Sequence, residues 1–358
     1  MVVEDIFKGL DNIDLILIRN GGENTIDKAF FYLSNTDGGS FEQSSLILSR
    51  DERKLFVYAL EEENVKNTGI EAVIARTTSE MTENIKKAMD GVKRIGVNMN
   101  SLNVRMFNSL QQMLPQSELV DVSKNLELAR VIKSSEEIAK IDRAAKIGSK
   151  AFSEVIGRLR EGMTESEASA ELIYSMMKNG ATGVAGSPIV CFGTNSSIPH
   201  HFPGERKLAK GDFVLMDYCA QYKRYCSDIT RTVVFGKATE QQSEMYDLVY
   251  EAQSTSMNMI RHGANGKYIN KKAYDVIDST KYKGKLMHGI GHGIGLEVHD
   301  HPALGSVDYI LKTNMAITDE PGIYIPGYGG VRIEDDLLVT DTGYRRMSES
   351  PPAELISI

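Results

Sequence analysis

The stretch HGIGHGIGLEVHDH, residues 288–301, has the most unusual chemistry in the sequence. It holds four of the seven histidines of the chain, interleaved with four glycines. The histidines are His288, His292, His299 and His301, and the glycines are Gly289, Gly291, Gly293 and Gly295. Interior glycines argue against a helix, because each costs roughly 1 kcal/mol relative to alanine. In an extended segment, glycine at every second position leaves one face bare for a close neighbour. The segment therefore predicts an extended, histidine-bearing strand at a binding or metal site.

Four acidic residues elsewhere occupy positions that are unusual for solvated carboxylates. Asp217 follows the apolar run FVLM, where an unpaired aspartate would be costly to bury. Asp228 lies eleven residues further on, beyond a polar turn, so a β-hairpin would bring the two carboxylates together. Glu320 directly precedes a proline in AITDEPGIY, and Glu334 interrupts the strand pattern of GGVRIEDDLLV. Carboxylates and imidazoles are good ligands for divalent cations, so with His292 these acids predict a metal site.

The charge count favours two cations at that site. Four carboxylates bring four negative charges, which two divalent cations would balance. Without metal, the same acids would repel one another and their pKa values would rise. Carboxylates that bridge two ions hold them roughly 3.5–4 Å apart, a spacing suited to activating water.

The elements that must position these residues fall into two regions. Before about residue 125, the runs DLILIRN, SLILSR and KLFVYAL predict strands and TSEMTENIKKAMDGV predicts a helix ending near Gly91. This α/β region contains no histidine and no catalytic constellation. Beyond it, Ser134 and Glu137 form a capping box for a helix closed by Gly162. A second helix follows a similar box and ends near Gly180. The capping pair of that second helix is Thr164 and Glu167.

The four acids of the predicted metal site lie in the β-rich part of the second region. The stretch GDFVLMDYCAQYKRYCSDITRTVVFG predicts two strands joined by a polar turn at residues 221–224. Helices are expected from about residue 240 to 261 and from about 265 to 279. The chain then returns to glycine-punctuated β structure.

Composition narrows the function classes. A net charge of −8 argues against nucleic acid as the main partner. Three cysteines make no disulfide framework, which favours a reducing, cytoplasmic environment. The N-terminal stretch MVVEDIFKGLDNIDLILIRN is expected to be neither a signal peptide nor a membrane span.

Three stretches resemble the pita-bread metallopeptidases, which include Xaa-Pro dipeptidases (prolidases), Xaa-Pro aminopeptidases and, more distantly, methionine aminopeptidases. They are MDYCAQYKRYCSDITRTVVFG, HGIGHGIGLEVHD and TDEPGIYIPGYGGVRIED, and they carry five ligands in the order Asp, Asp, His, Glu, Glu. IKSSEEIAKIDRAA is similar to the entry helix of the family, and YLSNTDGGSFEQSSLIL to its N-terminal domain. The resemblance implies an α/β creatinase-like domain over residues 1–125, followed by an α+β pita-bread catalytic domain over residues 126–358.

The resemblance also implies a two-metal site with manganese, cobalt or zinc, and magnesium stays open. One ion would be held by Asp217, Asp228 and Glu334, and the other by Asp228, His292, Glu320 and Glu334. Asp228 and Glu334 would bridge, and Glu320 would also move the proton of a bridging water or hydroxide.

The resemblance assigns the remaining histidines to the substrate or to the surface. His299 and His200 would stabilise the tetrahedral intermediate or hold the substrate, and His288 would line the pocket for the residue after the cut. Arg332 would hydrogen-bond around the ligands and help to form the substrate site. His201, His262 and His301 match no role, and the last two are expected at the surface.

Two departures bear on chemistry and substrate. Cys219 stands where the family often has glycine; it is interpreted as a small buried residue, with contact to metal as the alternative. The stretch HDHPALG lacks the arginine that prolidases commonly use for the free carboxylate of a dipeptide. The leading hypothesis is an Xaa-Pro dipeptidase that also cuts tripeptides to a measurable extent. The alternatives are an Xaa-Pro aminopeptidase on longer peptides, an aminopeptidase without a proline requirement, a binding protein of the same fold, and creatinase-like hydrolysis of a non-peptide C–N bond. A homodimer is expected from similar proteins, in which the N-terminal domain walls the active site of a neighbouring subunit.

Overall fold

The structure is a computed structural model that describes residues 3–305 and 307–358, without the side chains of residues 3 and 4. The chain divides into two compact units, residues 1–130 and 131–358. The first unit reaches beyond residue 125 because Leu126, on the helix Ser123–Ala129, packs into its core.

The first unit is an α/β unit built on a six-stranded mixed sheet of order β4-β3-β2-β1-β5-β6. Its strands are β1 (Leu15–Arg19), β2 (Ser45–Leu48), β3 (Arg53–Tyr58), β4 (Glu71–Ala75), β5 (Arg94–Val97) and β6 (Glu118–Asp121). Its helices are α1 (Val3–Ile6), α2 (Lys28–Ser34), α3 (Glu62–Val65), α4 (Thr78–Ala88), α5 (Val104–Met113) and α6 (Ser123–Ala129). Two 3-10 turns, Glu23–Thr25 and Ala59–Glu61, complete it. Successive side chains of a strand point to opposite faces of the sheet, so alternate residues pack into two hydrophobic clusters. The three predicted strands and the predicted helix are confirmed.

Four long helices belong to the second unit. They are α7 (Ser135–Ile156), α8 (Glu165–Lys178), α9 (Glu240–Met257) and α10 (Gly266–Asp278). Both predicted capping boxes are present at the starts of α7 and α8. The predicted end of α7 at Gly162 is wrong, because the helix stops at Ile156. Gly162 instead donates its N–H to the Leu208 carbonyl (2.8 Å), which draws the chain away from the helix axis.

The strands of the second unit form four small antiparallel sheets. They are β7 (Gly183–Val184), β8 (Ile189–Phe192), β9 (Phe213–Tyr218), β10 (Ala220–Tyr222), β11 (Tyr225–Cys226), β12 (Ile229–Val234), β13 (Gly291–Gly293), β14 (Asp300–Leu304), β15 (Ala316–Asp319), β16 (Gly322–Ile325), β17 (Gly329–Arg332), β18 (Asp335–Val339) and β19 (Tyr344–Arg346). The sheet orders are β12-β9-β8, β11-β10-β7, β14-β13-β15-β18-β19 and β16-β17. A 3-10 turn, Gly193–Ser197, follows β8. The polar turn predicted at residues 221–224 is the tip of the β10–β11 ribbon, where Lys223 and Arg224 take positive φ.

Two hydrophobic clusters support these sheets. One packs α9 and α10 under β15 and β17, and the other packs α7 and α8 against β8, β9 and β12. Among residues 3–305 and 307–358, no helix combines the length and hydrophobicity needed to cross a bilayer.

Candidate active site

The first two acids meet on the β9–β12 hairpin, as the sequence predicts. Asp217 lies on β9 opposite Thr230, and Asp228 immediately precedes β12. A carboxylate oxygen of each acid and the sulfur of Cys219 lie within 4.8 Å of one another. The hairpin therefore gathers three potential donor atoms at one point.

His292 is held on β13, between β14 and β15, by the close approach that glycine permits. A Cβ on Gly291 would stand 2.2 Å from the Thr318 carbonyl oxygen, and one on Gly293 would stand 2.0 Å from the His301 carbonyl oxygen. Any side chain there would push the strands apart. The extended, closely packed segment predicted from the glycine spacing is thus confirmed at this strand.

One ring nitrogen of His292 points at the acids. Its Nδ1 lies 3.0 Å from the Gly293 carbonyl oxygen, which fixes Nδ1–H as donor and leaves the lone pair on Nε2. Nε2 lies 3.6 Å from Oδ2 of Asp228 and 3.6 Å from Oε1 of Glu320. Burial lowers the pKa of His292 to about 4, helped by repulsion from His299, so the ring is neutral and available as a ligand.

Glu334 enters from the opposite side of the hairpin. Its N–H donates to the Thr230 carbonyl (3.1 Å), and its Oε2 accepts from the Thr230 hydroxyl (2.7 Å). Its Oε1 is buried without a hydrogen-bond partner among the described residues. Donor atoms of Glu334, Asp228 and His292 lie within 4.8 Å of one another, so Asp228 belongs to both clusters. Oδ1 of Asp228 accepts from the Cys219 thiol at 3.0 Å, whereas Oδ2 of Asp228 faces His292.

The acids are crowded enough to disturb their ionisation. Burial, followed by the charge of Glu334, raises the pKa of Asp228 and of Glu320 well above the usual range. Burial, followed by Asp217, raises the pKa of Glu334 to about 8. Like charges this close call for a compensating cation.

The donor set fits divalent cations. Four carboxylates and one neutral imidazole suit manganese, cobalt or zinc. The Oε1 of Glu334 and the carboxylate of Asp228, which lies in both donor clusters, offer oxygen atoms to a cation. Burial and the adjacent acids raise the pKa of the Cys219 thiol, which therefore serves here as a neutral donor to Asp228.

Arg332 connects Asp217 to His288 through Tyr324. It is 3% exposed; its Nη2 donates to Oδ2 of Asp217 (2.5 Å) and its Nε to the Thr230 hydroxyl (3.1 Å). Its Nη1 donates to the hydroxyl of Tyr324 (2.8 Å), which in turn contacts Nε2 of His288 (2.8 Å). The sequence interpretation missed Thr230 and Tyr324. Their only signal was proximity to ligands, in SDITRT and EPGIY.

His288 is neutral and fully engaged. Its Nδ1 lies 2.8 Å from the Gly289 carbonyl oxygen, so Nε2 accepts from Tyr324. Burial lowers the pKa of His288 to about 4, and the nearby charges of Arg332 and His200 add to the shift. His288 therefore offers no cationic donor, and the charge of Arg332 is paired with that of Asp217.

Four of the other histidines are exposed, and the fifth, His201, is partly buried. His299 is exposed, and its ring centroid lies 4.2 Å from that of His292. His200 is exposed and close enough to influence His288. His262 and His301 are exposed, as predicted. His201, which matched no role in the sequence analysis, contacts the buried carboxylate of Glu165 at 2.9 Å.

Comparison with known proteins decides the family. A family model described as "Metallopeptidase family M24" matches residues 139–341, and one described as "Creatinase/Prolidase N-terminal domain" matches residues 9–132. The chain belongs to metallopeptidase family M24. It is therefore a hydrolase whose chemistry uses divalent cations, with the creatinase-like and pita-bread domains predicted from the sequence.

Relatives of this M24 chain cover nearly its whole length. It is 33% identical to the Xaa-Pro dipeptidase of Pyrococcus furiosus over 93% of this chain and 97% of that protein. Its fold matches the X-Pro aminopeptidase of Thermotoga maritima with a TM-score of 0.91 at 31% identity, covering 98% and 99% of the two chains. It matches the prolidase of Pyrococcus horikoshii with a TM-score of 0.90 at 34% identity, covering 99% of both.

Proposed function

We propose that this M24 enzyme hydrolyses the Xaa-Pro bond of dipeptides, using two divalent cations. The proposal is carried by the complete set of five clustered ligands, in which Asp228 faces donor atoms on two sides. The similarity to two archaeal enzymes named Xaa-Pro dipeptidase, over 93% and 96% of this chain, supports the substrate class.

We assign the ligand roles by similarity to the family, and the two donor clusters that share Asp228 support the assignment. Asp217, Asp228 and Glu334 would hold one cation, and Asp228, His292, Glu320 and Glu334 the other. Cations at this site would lower the pKa of a water molecule and polarise the scissile carbonyl. Manganese, cobalt and zinc all fit the donors, and the test below discriminates between them.

The side chains of this chain supply the proton transfers and the orientation. Glu320, whose Oε1 lies 3.6 Å from Nε2 of His292, would take the proton of the attacking water and pass it to the leaving imino nitrogen of proline. His299 is exposed beside His292, and His200 is exposed near His288; from there their N–H groups would hold the carbonyl oxygen as negative charge develops. Arg332 and Tyr324 hold Asp217 and His288 in place.

One observation favours a second candidate, an Xaa-Pro aminopeptidase acting on longer peptides. A dipeptide places a free carboxylate directly after proline, and burying it without a partner is costly. His288 is neutral, and the charge of Arg332 is paired with Asp217 while its other two nitrogens donate to Thr230 and Tyr324. A longer peptide would present a neutral amide at that position instead.

The test is an assay of apoenzyme with each metal added, on Xaa-Pro dipeptides, Xaa-Pro-Yaa tripeptides and matched Xaa-Ala peptides. We expect cleavage of the dipeptides, weaker cleavage of the tripeptides and little of the Xaa-Ala controls. Tripeptides cut far faster than dipeptides would make the aminopeptidase the correct assignment. Equal cleavage of Xaa-Ala peptides would remove the proline requirement.

Assembly and location stay predictions. We expect a homodimer, which sedimentation of active protein would test. Three free cysteines suit a reducing, cytoplasmic setting.

A further inference from the structure

Glu165 is a buried carboxylate that the reaction as described does not use. It is the first residue of α8 and is 0% exposed. An acid at the start of a helix is ordinarily a solvated partner of the helix dipole. This one instead points inward, where a carboxylate needs several donors to offset its lost hydration.

The donors all come from one segment, residues 192–204, here named the His200 loop. Oε1 of Glu165 accepts from the Phe192 N–H (2.8 Å) and from Nδ2 of Asn195 (2.9 Å). Oε2 accepts from Nε2 of His201 (2.9 Å) and from the Gly204 N–H (3.1 Å). A single carboxylate therefore ties together the beginning and the end of the loop, at Phe192 and Gly204.

A second attachment fixes the loop against the catalytic strands. The hydroxyl of Ser196 accepts the N–H of Gly330 (2.8 Å) on β17, the strand that ends at Arg332. A Cβ on Gly330 would lie 2.2 Å from the Ser196 carbonyl oxygen, so loop and strand are in close contact. Anchored on both sides, the loop presents His200 to solvent near His288.

We propose that Glu165 is a positioning residue for the reaction, acting by holding the His200 loop so that His200 meets the substrate. The inference rests on the proposed function, which assigns His200 to the substrate. It also gives His201 a task, since its ring is one of the four donors that fix the carboxylate.

The decisive experiment is a double-mutant cycle between Glu165→Gln and His200→Ala, with metal content measured in every variant. In the wild-type background, Glu165→Gln should lower kcat/KM about tenfold or more while both metals stay bound. In the His200→Ala background the same change should cost little, because its effect passes through His200. Equal losses in the two backgrounds would overturn the proposal.

The matched control is Glu167→Gln, two residues away in the first turn of α8. Glu167 caps the helix by accepting the Thr164 N–H (2.8 Å), and its side chain hydrogen-bonds to Thr164 instead of to the loop. Hydrogen exchange at the Phe192 and Gly204 amides should accelerate at least about tenfold in Glu165→Gln and stay unchanged in the control. Unchanged exchange in Glu165→Gln would also overturn the proposal.

A milder variant covers the case in which Glu165→Gln fails to fold. His201→Ala removes one donor from a partly exposed position, and its loss of kcat/KM should likewise shrink in the His200→Ala background. Wild-type enzyme that leaves Xaa-Pro bonds intact would refute the proposed function and this inference with it. Active wild-type enzyme with additive variants would refute only the role of Glu165.

Discussion

Arg332 and Asp217 form a buried ion pair, with Nη2 of Arg332 2.5 Å from Oδ2 of Asp217. The other two guanidinium nitrogens, Nε and Nη1, donate to Thr230 and Tyr324, so each nitrogen of Arg332 makes at least one hydrogen bond. A lysine offers one point charge instead of a planar fork. Arg332→Lys should therefore keep the fold and lower kcat/KM about tenfold to a hundredfold with weakened metal binding. Metal titration and kinetics check this, and full activity with full metal affinity would contradict it.

Asp228→Asn tests the bridging assignment. An amide keeps the size of the side chain but supplies only one oxygen, so it cannot serve both clusters. Activity should fall at least about a hundredfold, and bound metal per subunit should drop. Circular dichroism should remain native. Near-normal turnover with two metals bound would show that Asp228 does not bridge.

His299 and His200 are assigned to the substrate and not to the cations. Replacing either by alanine should lower kcat about a hundredfold, as loss of a donor to a developing negative charge does. Both metals should remain bound, as measured by elemental analysis. His262→Ala, an exposed histidine hydrogen-bonded to Thr313, is the control. Loss of metal from the His299 or His200 variant would mean that a ligand has been misassigned.

Removing the cations should destabilise the protein. Four clustered acids would face one another without compensation. A ligand at 100 times its dissociation constant contributes roughly 2.7 kcal/mol. Chelation should thus lower the thermal midpoint by several degrees, with recovery on adding metal back. In Asp228→Asn the shift should be smaller, since that variant has less bound metal to lose. Equal shifts in both proteins would argue against a stabilising metal site.

His288 predicts an acid-side loss of stability. Its folded-state pKa is about 4 against an ordinary 6.5, so the folded protein takes up this proton only at lower pH. The contribution is complete above pH 6.5 and is lost as pH falls toward 4. After allowance for partial exposure it amounts to roughly 1–3 kcal/mol. His288→Gln should reduce the difference in unfolding free energy between pH 7 and pH 4.5 by that amount. His262→Gln should leave it unchanged, and a His288→Gln variant with the wild-type difference would contradict the assignment.

The parts of the site that sequence could supply are those encoded by local pattern. Asp217 directly after FVLM and Glu334 within VRIEDDLLV can be recognised from sequence, because a charge in an apolar strand needs a partner. The glycines around His292 do so through their spacing. Tyr324 and Glu165 have no comparable signal in the sequence around them. A tyrosine in a strand and an acid at a helix start are ordinary, and only tertiary contacts give them a role.

The end of α7 illustrates the same limit in the fold. Gly162 is a reasonable helix terminator by local preference, and it does take a positive φ of 83°. The helix nevertheless ends at Ile156, because backbone pairing of Gly162 and Met163 with Leu208 competes for that stretch. Leu208 lies more than forty residues away, beyond the reach of any local rule.

His292 and Gly293 are adjacent but are constrained for different reasons: His292 by the chemistry of the site, and Gly293 by the close approach of the strands. His292 can change without disturbing the strand, since its side chain projects into the site. Gly293 cannot, because its neighbour lies where a Cβ would go. In a relative that had lost hydrolytic activity, substitution of the histidine would therefore be tolerated. Substitution of the neighbouring glycine would still disrupt the strand packing. In such proteins the metal ligands would be retained only where the activity is retained, whereas the glycines would be retained wherever the fold is.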